Sequence, residues 1–284
     1  MNKNFINKSL LTVFLILIVF LSYSNLLDEL AEDYTEAGVE RSLIVFAISR
    51  SLNGVISVAQ GTEVALSPAG VGLTFAPGQI LDPVNDLIER FSWVVMVSGA
   101  SLGVQRLFLE ITSSLLISVM LSIFIILLLL KIWGVFNRAE YKLLSLSFLK
   151  KGLVILMFIR FSVPTIALIN EGLYLHYLQP QYTEAQEQLV NASDQIKSIN
   201  ETTRGNIDDS SNDLIGQVGV WLDQTRQSLD VEKQIQSLKQ AASDMSHQVI
   251  NLIVVFVVQT IIFPLLFLWL LIQSAKGIIR SFSI

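Results

Sequence analysis

The chain has 284 residues, of which 52% are hydrophobic and 15% charged, with a formal net charge of −5 and a mean hydropathy of +0.59. So much apolar surface exceeds what a soluble core of this size hides, and a bilayer is the expected solvent. Cysteine is absent and His176 and His247 are the only histidines, which excludes disulfides, a cysteine nucleophile, thiolate metal sites and a histidine-rich metal centre.

The first apolar run, Ser9–Leu27, follows Lys3 and Lys8 and is dense from Leu10 to Leu21. Two readings fit: an uncleaved membrane anchor over residues 1–27, or a secretory signal peptide with Ser22 and Ser24 spaced like a cleavage site. Both send Asn25 outward. A first outside segment, 28–106, then opens with an acidic helix over Leu26–Asn53. A valine- and glycine-rich stretch follows, punctuated by Gly61, Pro68-Ala69-Gly70 and Pro77-Gly78, and reads as two or three short strands. Asp82 at a cap position and Pro83 at the first helical position start another helix, expected to run unbroken into the next span. Within it Phe91–Gly103 is apolar but too short to cross a bilayer. Gly99 and Gly103 have the small-residue spacing that lets helices approach closely.

A span over 107–130 follows, with Ser114, Ser118 and Ser122 forming a small polar stripe suited to tight packing. Next come a basic connection (131–151), a span (152–175), a second outside segment (176–248), a span (249–273) and a tail (274–284). The second outside segment is polar and helical in character. Ala185, Leu189, Ala192, Ile196 and Ile199 keep a 4-3 spacing, as do Val231, Ile235, Leu238, Ala242 and Met245. That is the spacing of a coiled-coil seam, so an antiparallel hairpin turning near Gly205-Asn206 is expected. Its seam is poor in large residues, so either the first outside segment packs on it or several chains join their hairpins.

Charge sorts by segment. From Asn25 to Val104 there are ten acids against three arginines, and from Tyr177 to Gln248 eleven acids against five bases. The remaining flanks carry Lys3, Lys8, Lys131, Arg138, Lys142, Lys150, Lys151, Lys276 and Arg280 with Glu140 as their lone acid. Because basic residues flank the cytoplasmic side of spans, both termini and the 131–151 connection are assigned to the cytosol. The fold class is mainly α: a polytopic helical membrane protein with four spans, or three after signal cleavage, an extracytoplasmic coiled-coil hairpin and a small β element. The expected location is a bacterial inner membrane.

Charge inside a span is the exception that asks for a role. Arg160 lies nine residues beyond Lys151, about 13 Å along a helix axis, where an arginine is disfavoured by roughly 3 kcal/mol. Pro164 removes the hydrogen bond of the residue-160 carbonyl and is expected to kink the helix. Gln259 and Thr260 precede Pro264 in the same way. An intramembrane polar cluster of Arg160, Gln259, Thr260 and Ser122 at a paired kink is therefore expected, with snorkelling of Arg160 and an ion route as the other readings. His176 and His247 bracket the hairpin and, as neighbours, would form a pH-sensing pair, since imidazole titrates near neutrality.

No phosphate loop, nucleophile elbow, metal-spaced cluster or dinucleotide motif occurs, so neither an enzyme nor a cofactor or metal is expected. Acidic outside segments also argue against nucleic acid. The expected partners are membrane lipid, further copies of the chain and an extracytoplasmic protein. Two classes remain: a scaffold or signal-coupling protein acting through its hairpin, and an oligomeric channel or pore. The second is similar in topology to connexin-type channels, although the cysteines on which their outside loops rely are missing here.

Overall fold

A computed structural model describes residues 3–61, 64–66, 73–75, 77–134, 145–208 and 219–281. The chain is helical over nearly all of this length. Its elements are α1 (Lys3–Tyr23), α2 (Leu26–Gln60), two three-residue strands β1 (Val64–Leu66) and β2 (Leu73–Phe75), a 3-10 turn (Pro77–Leu81), α3 (Asp82–Thr112) and α4 (Leu115–Ile132). After the basic connection come α5 (Leu146–Leu173), a π turn (Tyr174–Leu178), α6 (Gln179–Asp208), α7 (Gly219–Val257), a second π turn (Val258–Ile262) and α8 (Phe263–Ser281). Among the described residues six helices are long and apolar enough to cross a membrane by length and composition.

Local chemistry sets the breaks. Asn25 separates α1 from α2 with φ 53°, a left-handed conformation that asparagine tolerates better than most residues. Its carbonyl accepts from the backbone N–H of Asp28 and of Glu29, both at 2.9 Å, which seeds α2. Ser113 and Ser114 separate α3 from α4, so the helix that starts at Asp82 does not continue unbroken into the next apolar run. The Ser114 carbonyl then accepts from the N–H groups of Ile117 and Ser118. Gly134, at φ 83°, ends α4 as a left-handed C-terminal residue. The Ser145 hydroxyl accepts from the Phe148 N–H and caps α5.

Two compact units divide the chain. The first comprises residues 1–40, 99–175 and 258–284. Its core joins Leu15 and Ile18 of α1 with Leu121, Ile125 and Leu128 of α4 and Leu149 and Leu153 of α5. Ser22 meets Ser118 and Thr12 meets Trp133, so α1 and α4 run antiparallel. A Cβ at Gly152 would strike the Phe124 ring, so glycine lets that ring lie against α5.

The second unit comprises residues 41–98 and 176–257. Tyr182 stacks edge-on against Phe256, and Gln248 donates to Gln188, so α6 and α7 run antiparallel. Along their contact Ala185, Leu189, Ala192 and Ile196 are buried on α6, and Leu238, Ala242 and Met245 on α7, while Ile235 is half-buried. The side chains of Ile199 and Val231 lie outside the described residues. Helix α6 continues through Gly205 and Asn206 to Asp208, beyond the turn expected there, and residues 209–218 are outside the described part. In the stretch read as strands, Asn53–Gln60 is instead the end of α2. β1 and β2 pair antiparallel with Ala65 opposite Thr74, and Pro68-Ala69-Gly70 lies outside the described residues. Gln60 Nε2 donates to Asp82 Oδ1 at 2.6 Å, and Gly78 sits so close to the backbone of Ala59 and Gln60 that any Cβ would collide with it.

Candidate functional site: a buried arginine

Arg160 is the largest fully buried side chain of the molecule's described part, with 1% of its surface exposed. Three breaks and turns bring its partners to it. Ser22 stands in the last turn of α1, Asp28 in the first turn of α2 just past the left-handed Asn25, and Ser118 in the first turn of α4. The guanidinium grips the Asp28 carboxylate with both terminal nitrogens, Nη1 to Oδ1 at 2.8 Å and Nη2 to Oδ2 at 2.5 Å. Nη2 also donates to the Ser22 carbonyl at 2.9 Å, and Nε lies 3.3 Å from the hydroxyl oxygens of Ser22 and Ser118. The serines are themselves linked. Ser22 Oγ donates to Ser118 Oγ at 2.9 Å, and Ser118 Oγ donates to the Ser22 carbonyl at 3.1 Å.

A fork-to-fork pair of this kind is the strongest way to hold a guanidinium, and the surrounding acceptors offset the desolvation that an isolated buried charge would suffer. The Phe161 ring adds a face 5.4 Å from the guanidinium carbon. Arg160 therefore does not snorkel: its donors point into protein, and its charge is matched by Asp28, whose side chain is 12% exposed.

The partners differ from those the sequence suggested. Gln259 does not meet Arg160, because α5 turns the guanidinium toward α1, α2 and α4. Gln259 Nε2 donates instead to Tyr34 Oη on α2 at 3.2 Å. Thr260 is buried, and its carbonyl, which the missing N–H of Pro264 cannot serve, accepts from Ser101 Oγ at 3.1 Å. The chain forms its second π turn here, directly before Pro264, whereas α5 passes through Pro164 as one continuous helix. Ser122 lies one turn below Ser118, donates to its carbonyl at 2.8 Å and sits 3.3 Å from Tyr23 Oη. Ser114 serves as the N-cap residue of α4.

A second, wetter charge group stands one turn further along α2. Arg106 approaches Glu32 at 2.9 Å, Glu36 at 3.4 Å and Glu110 at 3.7 Å, all four side chains being at least 36% exposed. Each such pair is worth about 0–1 kcal/mol. The first turns of α2 thus engage α5 through Asp28, α3 through Glu32 and the π turn before α8 through Tyr34. Among the described residues no three histidines or carboxylates cluster as metal ligands.

Two further expectations are corrected. Gln188 marks the level of Gln248 across α6 and α7, which places His247 about twelve residues along from His176, roughly 18 Å of helix. The two histidines are exposed and are not neighbours; His176 packs edge-on against Tyr177. A Cβ on Gly103 would meet nothing within 4 Å, so Gly103 makes no tight helix contact among the described residues. Gly99 is half-buried.

Asp28 and Ser22 were not singled out from sequence, although a signal exists. Apart from Tyr34, the buried positions of α2 are Asp28, Ala31, Thr35, Gly38, Ser42, Val45, Ser49, Leu52, Ile56 and Ala59. They alternate steps of three and four along the whole helix, a heptad seam hidden by its small polar residues. No protein-family model matches this chain, and no curated protein and no solved structure matches it.

Proposed function

We propose that this chain is a non-enzymatic, multi-pass membrane protein that acts as a scaffold or signal-coupling component. Four spans, one each from α1, α4, α5 and the α7–α8 helix, would carry both termini and the 131–151 connection on the cytosolic side of a bacterial inner membrane. The α6–α7 pair would form the extracytoplasmic hairpin that meets a partner.

The observation that carries this reading is the closed Arg160–Asp28 clamp. It ties three apolar helices, α1, α4 and α5, to the first turn of α2, and it directs its donors inward. A displacement of α2 is thereby transmitted to the helices beneath it, which suits coupling. A conducting route would instead use polar groups facing a hydrated path. The same contacts favour retention of α1 as an anchor, because Ser22 supplies two of the Arg160 acceptors.

Purified protein in planar bilayers tests the reading. It should add no current to that of the empty bilayer, and its intact mass should include residues 1–24. Current that changes on Arg160→Leu would reject coupling in favour of the oligomeric pore.

A further inference from the structure

The chain passes between its two compact units four times: between Glu40 and Arg41 in α2, Ser98 and Gly99 in α3, Leu175 and His176, and Val257 and Val258. The last two passages are built alike. Each falls in or directly before a five-residue π turn, Tyr174–Leu178 or Val258–Ile262. Each turn is followed, after a single residue, by proline: Pro180 or Pro264. Among the described residues these are the only π turns. Proline by itself does not make one, because α5 runs through Pro164 without a break.

A helix is weak at such a place for two reasons. Pro180 and Pro264 have no N–H for the carbonyls of His176 and Thr260, which an α-helix would join to them. The π turn also interrupts the regular ladder of backbone bonds around the proline. At the second joint a side chain takes over, Ser101 Oγ donating to the Thr260 carbonyl at 3.1 Å. Prolines and π turns are where helices bend. The other two passages carry glycine, the weakest helix former after proline. Gly38 stands two residues before Glu40 in α2, and Gly99 stands at the passage itself in α3.

We propose that these four sites act as one joint, at which residues 41–98 and 176–257 swing as a body on the rest of the chain. The proposal rests on the membrane placement above and adds where the molecule bends. Neither unit has to loosen for the swing. The apolar cluster of α1, α4 and α5 and the Arg160–Asp28 clamp lie wholly in one unit, and the α6–α7 seam lies wholly in the other. Hinges are a few element-terminal residues that absorb the backbone change while the bodies they join stay rigid. Because both arms of the hairpin leave it by the same kind of turn, the α6–α7 pair moves as one piece.

The cysteine-free chain accepts spin labels in chosen pairs, with distances read by pulsed electron paramagnetic resonance on the full-length protein in lipid nanodiscs. Asp33→Cys with Glu187→Cys spans the joint. Asp33→Cys with Lys276→Cys stays within one unit, and Glu187→Cys with Lys239→Cys within the other; all four positions are exposed. The distance distribution across the joint should be several-fold broader than either internal one. Pro180→Ala with Pro264→Ala should narrow it toward the internal widths, and unchanged internal distances show that both units remain folded. A distribution across the joint as narrow as the internal ones would overturn the proposal, and so would breadth that the double substitution leaves unchanged. An internal pair as broad as the spanning pair also overturns it, because the movement then lies within a unit. The membrane placement is read separately from a label at Leu266→Cys. Relaxation of that label by a water-soluble nickel chelate, and not by oxygen dissolved in lipid, would reject the placement and leave the joint standing.

Discussion

Asp28 decides whether Arg160 is tolerable. Asp28→Ala leaves a buried guanidinium with only neutral acceptors, a change expected to remove about 3–5 kcal/mol. Replacing both partners, Asp28→Leu with Arg160→Met, should recover most of that loss, because a well-packed apolar pair carries no desolvation penalty. Arg106→Ala is the contrast: its exposed pairs predict a loss of about 1 kcal/mol or less. Denaturant unfolding in detergent reads all three. A double variant no more stable than Asp28→Ala would show that the charge pair is not the source of the loss. At this scale the sequence was half legible. An arginine in an apolar run announces itself, whereas Asp28 is one of six acids between Asp28 and Glu40. Only the left-handed turn at Asn25 distinguishes it, by aiming the first turn of α2 at α5.

At the scale of elements, the apolar runs and the α6–α7 spacing were readable because helical period is a local property. The ends were not. Helix α2 runs on to Gln60 through residues that resemble a strand, since Leu52, Ile56 and Ala59 keep the three- and four-residue spacing of its buried face. The helix beginning at Asp82 stops at Thr112, where Ser113 and Ser114 turn the chain before α4. Gly78 is the other feature hidden in sequence, where it reads as half of a Pro-Gly turn. Its hydrogen is what lets the 3-10 turn lie on the backbone of Ala59 and Gln60. Gly78→Ala should therefore strain the approach of α2 to α3 by about 1–3 kcal/mol or more. Limited proteolysis checks it: cleavage within residues 60–80 should accelerate, and an unchanged rate would mean that the two backbones separate freely.

For the molecule as a whole, the arrangement in the membrane rests on charge. Reporter fusions should place the Lys131–Lys151 connection in the cytosol and the Gly205 region outside, and the reverse at either point would overturn the four-span assignment. By itself the sequence determined that this is a nearly all-helical chain with several helices able to cross a bilayer. Hydropathy and helical period sum over neighbours in the chain, so no fold is needed to read them. Which acid faces Arg160, that Gln259 turns to Tyr34, and that His176 and His247 stand apart were decided only by tertiary structure. Each of these depends on helix register and on breaks at single residues, and a shift of one position along a helix turns a side chain by about 100°.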